Sequence, residues 1–229
     1  MKQTASHKIP SDSVSAVKSR PAPRRLSDLA YETLSMAIRE RKLRSGETIV
    51  EHYLAESLGL SRTPLRQALQ RLELEGQLVK HGGRSYQVRH VSMGEYLQSL
   101  KVREMLEPEA AELAVDRLQD EHIQAARKEL VALDNIRPYN VIAHWKADDA
   151  LHHLFIDNCG NQVLARSLHA LRVTTKLFEI DRLADRLEPD SREHYEILDA
   201  LQARDKKAAR RSVAQHIRSL IRFAIATAA

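Results

Sequence analysis

Apolar side chains at Leu26, Leu29, Ala30, Leu34, Ala37 and Ile38 recur at the spacing of one helix face and predict a helix over Ser27–Lys42, with Ser27 or Asp28 as N-cap. Leu54, Ala55 and Leu58 share one face of a short helix over Glu51–Leu58, which Gly59 breaks. Thr63-Pro64 opens the next helix: Thr63 can cap it, and Pro64 sits where a missing N–H costs nothing. Leu65, Ala68, Leu69 and Leu72 form its buried stripe, and Gly76 stops it. Two short β-prone runs, Leu78–His81 and Ser85–Val88, flank Gly82-Gly83 and predict a hairpin.

Beyond Val91 the periodicity is helical throughout. Ser92-x-x-Glu95 is a capping box that opens a long helix, which Pro108 should kink or divide. Further helices are expected over Glu121–Leu133, Asn140–Asn158, Gln162–Leu183, Ser191–Arg204 and Lys206–Ala226. Asp190-x-x-Glu193 reads as a second capping box, and Asp205 can cap the last helix. The pattern predicts a mainly α protein. Residues 25–91 have the layout of a winged helix-turn-helix with a small β-hairpin wing, and residues 92–229 that of an antiparallel all-α helical bundle. Residues 1–24, rich in Ser, Lys, Arg and Pro, read as a disordered basic tail.

Composition adds three constraints to this picture. A hydrophobic share of 43% suffices for packed cores, and the single cysteine, Cys159, excludes an intrachain disulfide. No apolar run approaches the roughly 18–20 residues that span a bilayer, and the first 25 residues lack a secretory apolar core, so a cytoplasmic, membrane-free location is expected. The net charge of +5 is uneven: residues 1–91 hold 16 basic against 9 acidic side chains, and the remainder 20 against 22. A basic front half suggests that this half meets a polyanion.

In a helix-turn-helix the second helix enters the major groove with its N-terminal residues leading. Here those residues are Ser61, Arg62, Thr63 and Arg66. Arginine can pair bidentately with guanine or with phosphate, and hydroxyls suit phosphate oxygens. The hairpin tip, His81-Gly82-Gly83-Arg84, is small and basic enough to reach a minor groove or the backbone. The run Leu54-Ala55-Glu56-Ser57-Leu58-Gly59-Leu60-Ser61-Arg62-Thr63-Pro64-Leu65-Arg66-Gln67-Ala68-Leu69, continued by Arg71-Leu72-Glu73-Leu74-Glu75-Gly76, resembles the signature of the GntR superfamily of transcription regulators. The resemblance implies DNA contacts by Ser61, Arg62, Thr63 and Arg66, and by the wing at His81 and Gly82. Some members carry Arg where this chain has His52.

Seven of the eleven histidines lie after residue 97. Asp148-x3-His152 and Asp149-x3-His153 each place a carboxylate and an imidazole one helical turn apart. Asp148, His152, Phe155 and Cys159 share a stripe with Leu151, so that pair faces the interior, while Asp149 and His153 lie toward solvent. A buried Asp–His pair needs partners, and a metal is one solution. His194 and His216 would join it if the last two helices pack antiparallel. Each histidine could instead be a surface or hydrogen-bonded core residue.

This half resembles the FCD ligand-binding domain of the FadR subfamily of GntR regulators over about Glu95 to Phe223. The resemblance rests on Val102-Arg103-Glu104-Met105-Leu106-Glu107-Pro108, Asp148-x3-His152, Gly160-Asn161 and Glu193-His194-Tyr195-Glu196-Ile197-Leu198-Asp199-Ala200-Leu201, with His216 following. It implies a divalent transition metal (zinc, nickel, manganese or iron) on Asp148, His152, His194 and His216. His144, one turn before Asp148, is expected outside the ligand set. Arg103 could meet a carboxylate effector or form a structural ion pair with a nearby Glu; Arg166 and Arg172 are weaker candidates for the same role. The expected function is a homodimeric, non-enzymatic repressor of operator DNA, released or engaged by a small carboxylate. A metal-dependent hydrolase-like enzyme, or a regulator with a purely structural metal, remains the alternative.

Overall fold

The computed structural model describes residues 23–83, 85–178 and 182–227. The chain separates after Val91 into two compact units.

The first unit contains helix α1 (Pro23–Arg39), strand β1 (Thr48–Val50), α2 (Glu51–Leu58), α3 (Arg62–Leu74), β2 (Leu78–Lys80) and β3 (Ser85–Val88). Ala30, Leu34, Ala37 and Ile38 of α1 are buried, as are Leu65, Ala68, Leu69 and Leu72 of α3, and the two helices pack together. Gly59, at φ 61°, ends α2 in the left-handed region that costs glycine nothing. The β2–β3 hairpin is antiparallel, with Gly82 at φ 72° and Gly83 at φ 51° in its turn.

Three features of this unit differ from the sequence expectation. Helix α1 starts at Pro23 rather than Ser27, with proline in its favoured place in the first turn. The expected basic tail lies outside the described residues, apart from the last two of its span, which open α1; Arg84 of the wing tip also lies outside them. Helix α3 starts at Arg62 with Ser61 in the N-cap position, so Thr63 is a first-turn residue rather than the cap. Pro64 still falls among the N–H groups that have no intrahelical acceptor. The Ser61 hydroxyl makes no capping bond. The third difference is β1, which the pattern does not announce. It pairs antiparallel with β3, giving a sheet of order β1-β3-β2.

The second unit contains α4 (Met93–Ala114), α5 (Asp120–Asp134), α6 (Val141–Asn158), α7 (Gln162–Leu177), a 3-10 turn (Leu183–Arg186), α8 (Leu187–Gln202) and α9 (Lys206–Thr227), with no strand among the described residues. Its core gathers Ile123, Leu130, Phe155, Leu168, Ile197, Leu201 and Val213. Helix α4 packs on α6, α7 and α9. Ion pairs Asp116–Lys206 and Glu104–Arg218 (2.6 Å) run in opposite chain order, so α4 and α9 are antiparallel.

Pro108 does not divide α4, which runs unbroken past it. The proline costs the helix one backbone bond, and burial of Tyr96, Leu100, Ala110, Ala111 and Ala114 along the same helix holds it together. Helix α7 ends at Leu177, short of the expected Leu183, where the backbone of Phe178 turns extended. Helix α8 begins at Leu187 rather than Ser191, so the expected Asp190–Glu193 capping box does not form. Both carboxylates are drawn to Arg186 instead, Asp190 Oδ1 at 2.7 Å from its Nε. The working caps are Ser92 for the Glu95 N–H (3.2 Å), Asn140 for Ala143 (2.9 Å), Asn161 for Val163 and Leu164 (both 3.1 Å) and Asp205 for Ala208 (2.9 Å).

Because Asn161 Oδ1 accepts two first-turn N–H groups, Asn161→Ala is expected to cost about 1 kcal/mol. Urea unfolding should register this as a lower midpoint with an unchanged slope.

Candidate metal centre and nucleic-acid interface

Helix α6 places Asp148 and His152 one turn apart on its inner face. Helices α8 and α9, joined by a three-residue turn, bring His194 and His216 to the same point. One donor atom from each of the four lies within 4.8 Å of every other. The His152 Nε2 is 3.5 Å and the His194 Nε2 3.9 Å from Asp148 Oδ1. The His194 and His216 ring centroids are 4.7 Å apart, and those of His152 and His216 5.3 Å. All three imidazoles are buried.

The outer nitrogens of two rings are fixed by carboxylates. His152 Nδ1 lies 2.8 Å from Glu107 Oε2, and His216 Nδ1 lies 2.9 Å from Glu193 Oε2. A carboxylate there accepts the Nδ1–H and leaves the Nε2 lone pair pointing inward. The Nε2 atoms of His152, His194 and His216 are all buried without a hydrogen-bond partner. Three such orphans around one carboxylate are costly unless something accepts their lone pairs. The set of three imidazoles and one carboxylate suits a divalent transition metal.

Electrostatics favours the ligand forms. Burial, followed by the Arg172 charge, lowers the His152 pKa to about 4, and burial with the neighbouring His216 places His194 well below the ordinary value. Burial opposes the charge on Asp148, but Arg172 and the imidazoles outweigh it and hold the carboxyl well below the usual range. Glu107 is held low in the same way, by Arg103 and His152 against its burial.

Arg172 Nη2 reaches Asp148 Oδ2 at 2.6 Å and Asp149 Oδ1 at 2.9 Å. Arg103 forms the structural pair that the sequence left open: its Nε lies 2.5 Å from Glu107 Oε1 and its Nη1 2.8 Å from Thr175 Oγ1. Arg103 Nη2, Arg172 Nε and Arg172 Nη1 stay buried and unpartnered. Arg166 is exposed. His144 is buried with both nitrogens engaged, Nε2 3.1 Å from Asp190 Oδ2 and Nδ1 3.0 Å from the Tyr139 hydroxyl, so it offers no lone pair to the cluster. Asp190, Glu193 and His216 also approach one another, but the Arg186 guanidinium already bonds both carboxylates. Asp149, paired with Arg172 and Lys176, and half-exposed His153 lie outside the cluster.

Ser61, Arg62, Thr63 and Arg66 lie exposed on α3, at its start or within its first turns. His81 and Gly82 are exposed in the hairpin turn, which closes through His81 N–H to Ser85 O at 3.0 Å. Arg66 grips the Glu51 carboxylate through Nε and Nη2, and Arg62 Nη2 lies 3.4 Å from His52 Nδ1. Sequence reasoning missed Glu51, Glu107 and Glu193 as partners of the predicted site residues. Glu107 and Glu193 stand inside the motifs that carry the resemblance, and only the packing of separate helices shows that they meet His152 and His216.

Residues 98–219 match the FCD domain family, and residues 26–88 match the family described as bacterial regulatory proteins, gntR family. An uncharacterized HTH-type transcriptional regulator, YdhC of Bacillus subtilis, is 27% identical over 81% of this chain and 85% of its own. The Nta operon transcriptional regulator of Aminobacter aminovorans is 30% identical over 56% of this chain and 61% of its own. The solved structure of E. coli McbR/YncC shares the fold, with a TM-score of 0.75 and 21% identity over 89% of this chain and 99% of that one.

The depressed imidazoles set a pH dependence. Below pH 6.5 the unfolded chain protonates histidines that His152, at about 4 in the fold, and His194 resist. In the presence of chelator, stability should therefore fall as pH drops from 6.5 toward 4, by about 1.4 kcal/mol per pH unit for each such histidine. Denaturant unfolding across that range measures it; a flat profile would mean that the imidazoles are not held neutral.

Proposed function

The chain belongs to the GntR family of bacterial regulatory proteins, in the branch with an FCD domain, and on that premise we propose that a small carboxylate bound at a metal in the helical unit controls its grip on DNA. The protein is a DNA-binding transcription regulator. The proposed reading makes it a cytoplasmic homodimeric repressor on a nearly palindromic operator, since two-fold protein symmetry maps onto two half-sites. No helix among the described residues is long and apolar enough to cross a membrane.

The observation that carries the metal reading is the convergence of three buried, unpartnered Nε2 atoms on Asp148. Asp148, His152, His194 and His216 would hold zinc, nickel, manganese or iron. Such an ion would supply a Lewis acid, and where it takes more than four ligands a carboxylate could join the four protein donors. Glu107 and Glu193 orient their imidazoles toward it, while Arg172 keeps Asp148 ionised. The free nitrogens of Arg103 and Arg172 are donors suited to an anionic effector. In the DNA-binding unit, Ser61, Arg62, Thr63 and Arg66 would contact the major groove, with His81 and Gly82 reaching the adjacent backbone or minor groove.

A hydrolytic role is the less favoured reading. Glu107 and Glu193, the carboxylates beside the cluster, each already hold a ligand imidazole and an arginine, which leaves neither free as a general base.

Elemental analysis of the purified protein should find about one divalent ion per chain, and His152→Ala should abolish it. Glu193→Gln is expected to weaken metal affinity by about 10- to 100-fold through the loosened His216. Mobility-shift titration gives the second check. Arg62→Ala with Arg66→Ala should eliminate operator binding, and one member of a carboxylate panel should change wild-type affinity only when metal is present. Retained binding by the double variant would sink the recognition-helix reading.

A further inference from the structure

We propose that Glu51 is a positioning residue that makes Arg66 a guanine reader, an inference that rests on α3 being the recognition helix. Glu51 opens α2 and is 6% exposed, although a carboxylate at a helix start could equally face water. Arg66 lies over it from α3. Its Nε is 3.3 and 3.2 Å from the two carboxylate oxygens, and its Nη2 is 2.9 Å from Oε2.

A guanidinium carries five N–H donors in a rigid plane. Here the edge built from Nε and Nη2 is committed to Glu51. The end edge, built from Nη1 and the second Nη2 hydrogen, has no partner among the described residues, and the Arg66 side chain is 44% exposed. Two consequences follow from this division. Swinging Arg66 away to a phosphate would strip a buried carboxylate of the one partner it has among the described residues, which is costly. The edge left free also presents two parallel donors, the complement of guanine O6 and N7, and no other base offers two acceptors on its major-groove edge.

Arg62, one turn earlier, makes a useful contrast. Its contact with α2 is a single one, Nη2 to His52 Nδ1 at 3.4 Å. It is held loosely and stays free to follow a phosphate. Neighbouring residues at the start of α2 thus set two arginines of one helix to different tasks.

The test is selection from a randomised duplex pool with the full chain, comparing wild type, Glu51→Gln, Arg66→Ala and the double variant, with circular dichroism confirming each fold. The wild-type motif should contain a guanine in each half-site. Glu51→Gln and Arg66→Ala should each reduce that preference on the order of ten-fold, and Glu51→Gln should add nothing in the Arg66→Ala background. The salt dependence of binding should stay the same in both single variants. If Glu51→Gln does not fold, Glu51→Asp, which keeps the charge on a shorter stem, should show a guanine preference weaker than wild type. Unaltered guanine preference in a folded Glu51 variant would overturn the inference, as would independent, additive losses. A uniform affinity loss in Arg66→Ala with a shallower salt slope would overturn it too, by marking Arg66 as a phosphate contact. A wild-type protein that enriches no motif at all would instead remove the recognition-helix reading beneath it.

Discussion

The helical unit is organised around a charge that water cannot reach. Glu107 is fully buried in the middle of α4, and it is held ionised by Arg103 from its own helix and by the Nδ1–H that His152 donates from α6. Remove that carboxylate and two further groups lose their place: the Arg103 guanidinium is left buried with Thr175 as its remaining partner, and the His152 ring is free to turn. Because the ring is fixed, its second nitrogen faces Asp148, His194 and His216. Glu193 does the same for His216, with Arg186 as its counter-charge. The centre therefore rests on a layer of carboxylate–imidazole pairs, each with its own arginine, and the inward Nε2 atoms are what this arrangement leaves over.

Such a layer is expensive for a bundle that could have packed leucines there. Buried ion pairs seldom out-stabilise well-packed apolar side chains of the same volume, so their presence argues for a task other than stability. The surrounding core is conventional, with Phe155, Leu168, Ile197 and Leu201 fully buried. The buried polar residues lie on the inner faces of α4, α6, α7, α8 and α9 and on the turn that ends in Arg186, where a ligand would need them. The DNA-reading unit spends its charges differently: those of α3 sit at the surface, and the carboxylate of Glu51 is the buried one.

How far the sequence reveals this depends on which contacts are local. Asp148 and His152 are legible because four residues on one helix define a face. His194 and His216 are legible only on the assumption that α8 and α9 are antiparallel, which their short connection favours. The caps of α4 and α9 are read correctly since a side chain bonds a backbone group three residues on. The same logic fails at Asp190 and Glu193, where Arg186, His144 and His216 compete for the carboxylates and the helix starts earlier. Glu107 and Arg172 are illegible as partners of the site because their contacts span 45 and 24 residues of sequence, between separate helices.

Strand β1 is the element least visible in the pattern, and it links the two parts of the DNA-reading unit. Three residues with one buried side chain carry almost no periodic signal. Yet β1 pairs along its whole length with β3 of the wing, Thr48 with Gln87, Ile49 with Tyr86 and Val50 with Ser85, and its last residue runs directly into Glu51. The position of α2 is thus tied to the wing by a backbone ladder. Glu51 and His52, the first two residues beyond that ladder, are the ones that meet Arg66 and Arg62. A displacement of the wing on binding a groove would reach the arginines of α3 through two short steps, the β1–β3 pairing and the Glu51 carboxylate. On the proposed reading, the wing and α3 would then meet DNA as coupled rather than independent contacts, and the least conspicuous strand in the chain is what would couple them.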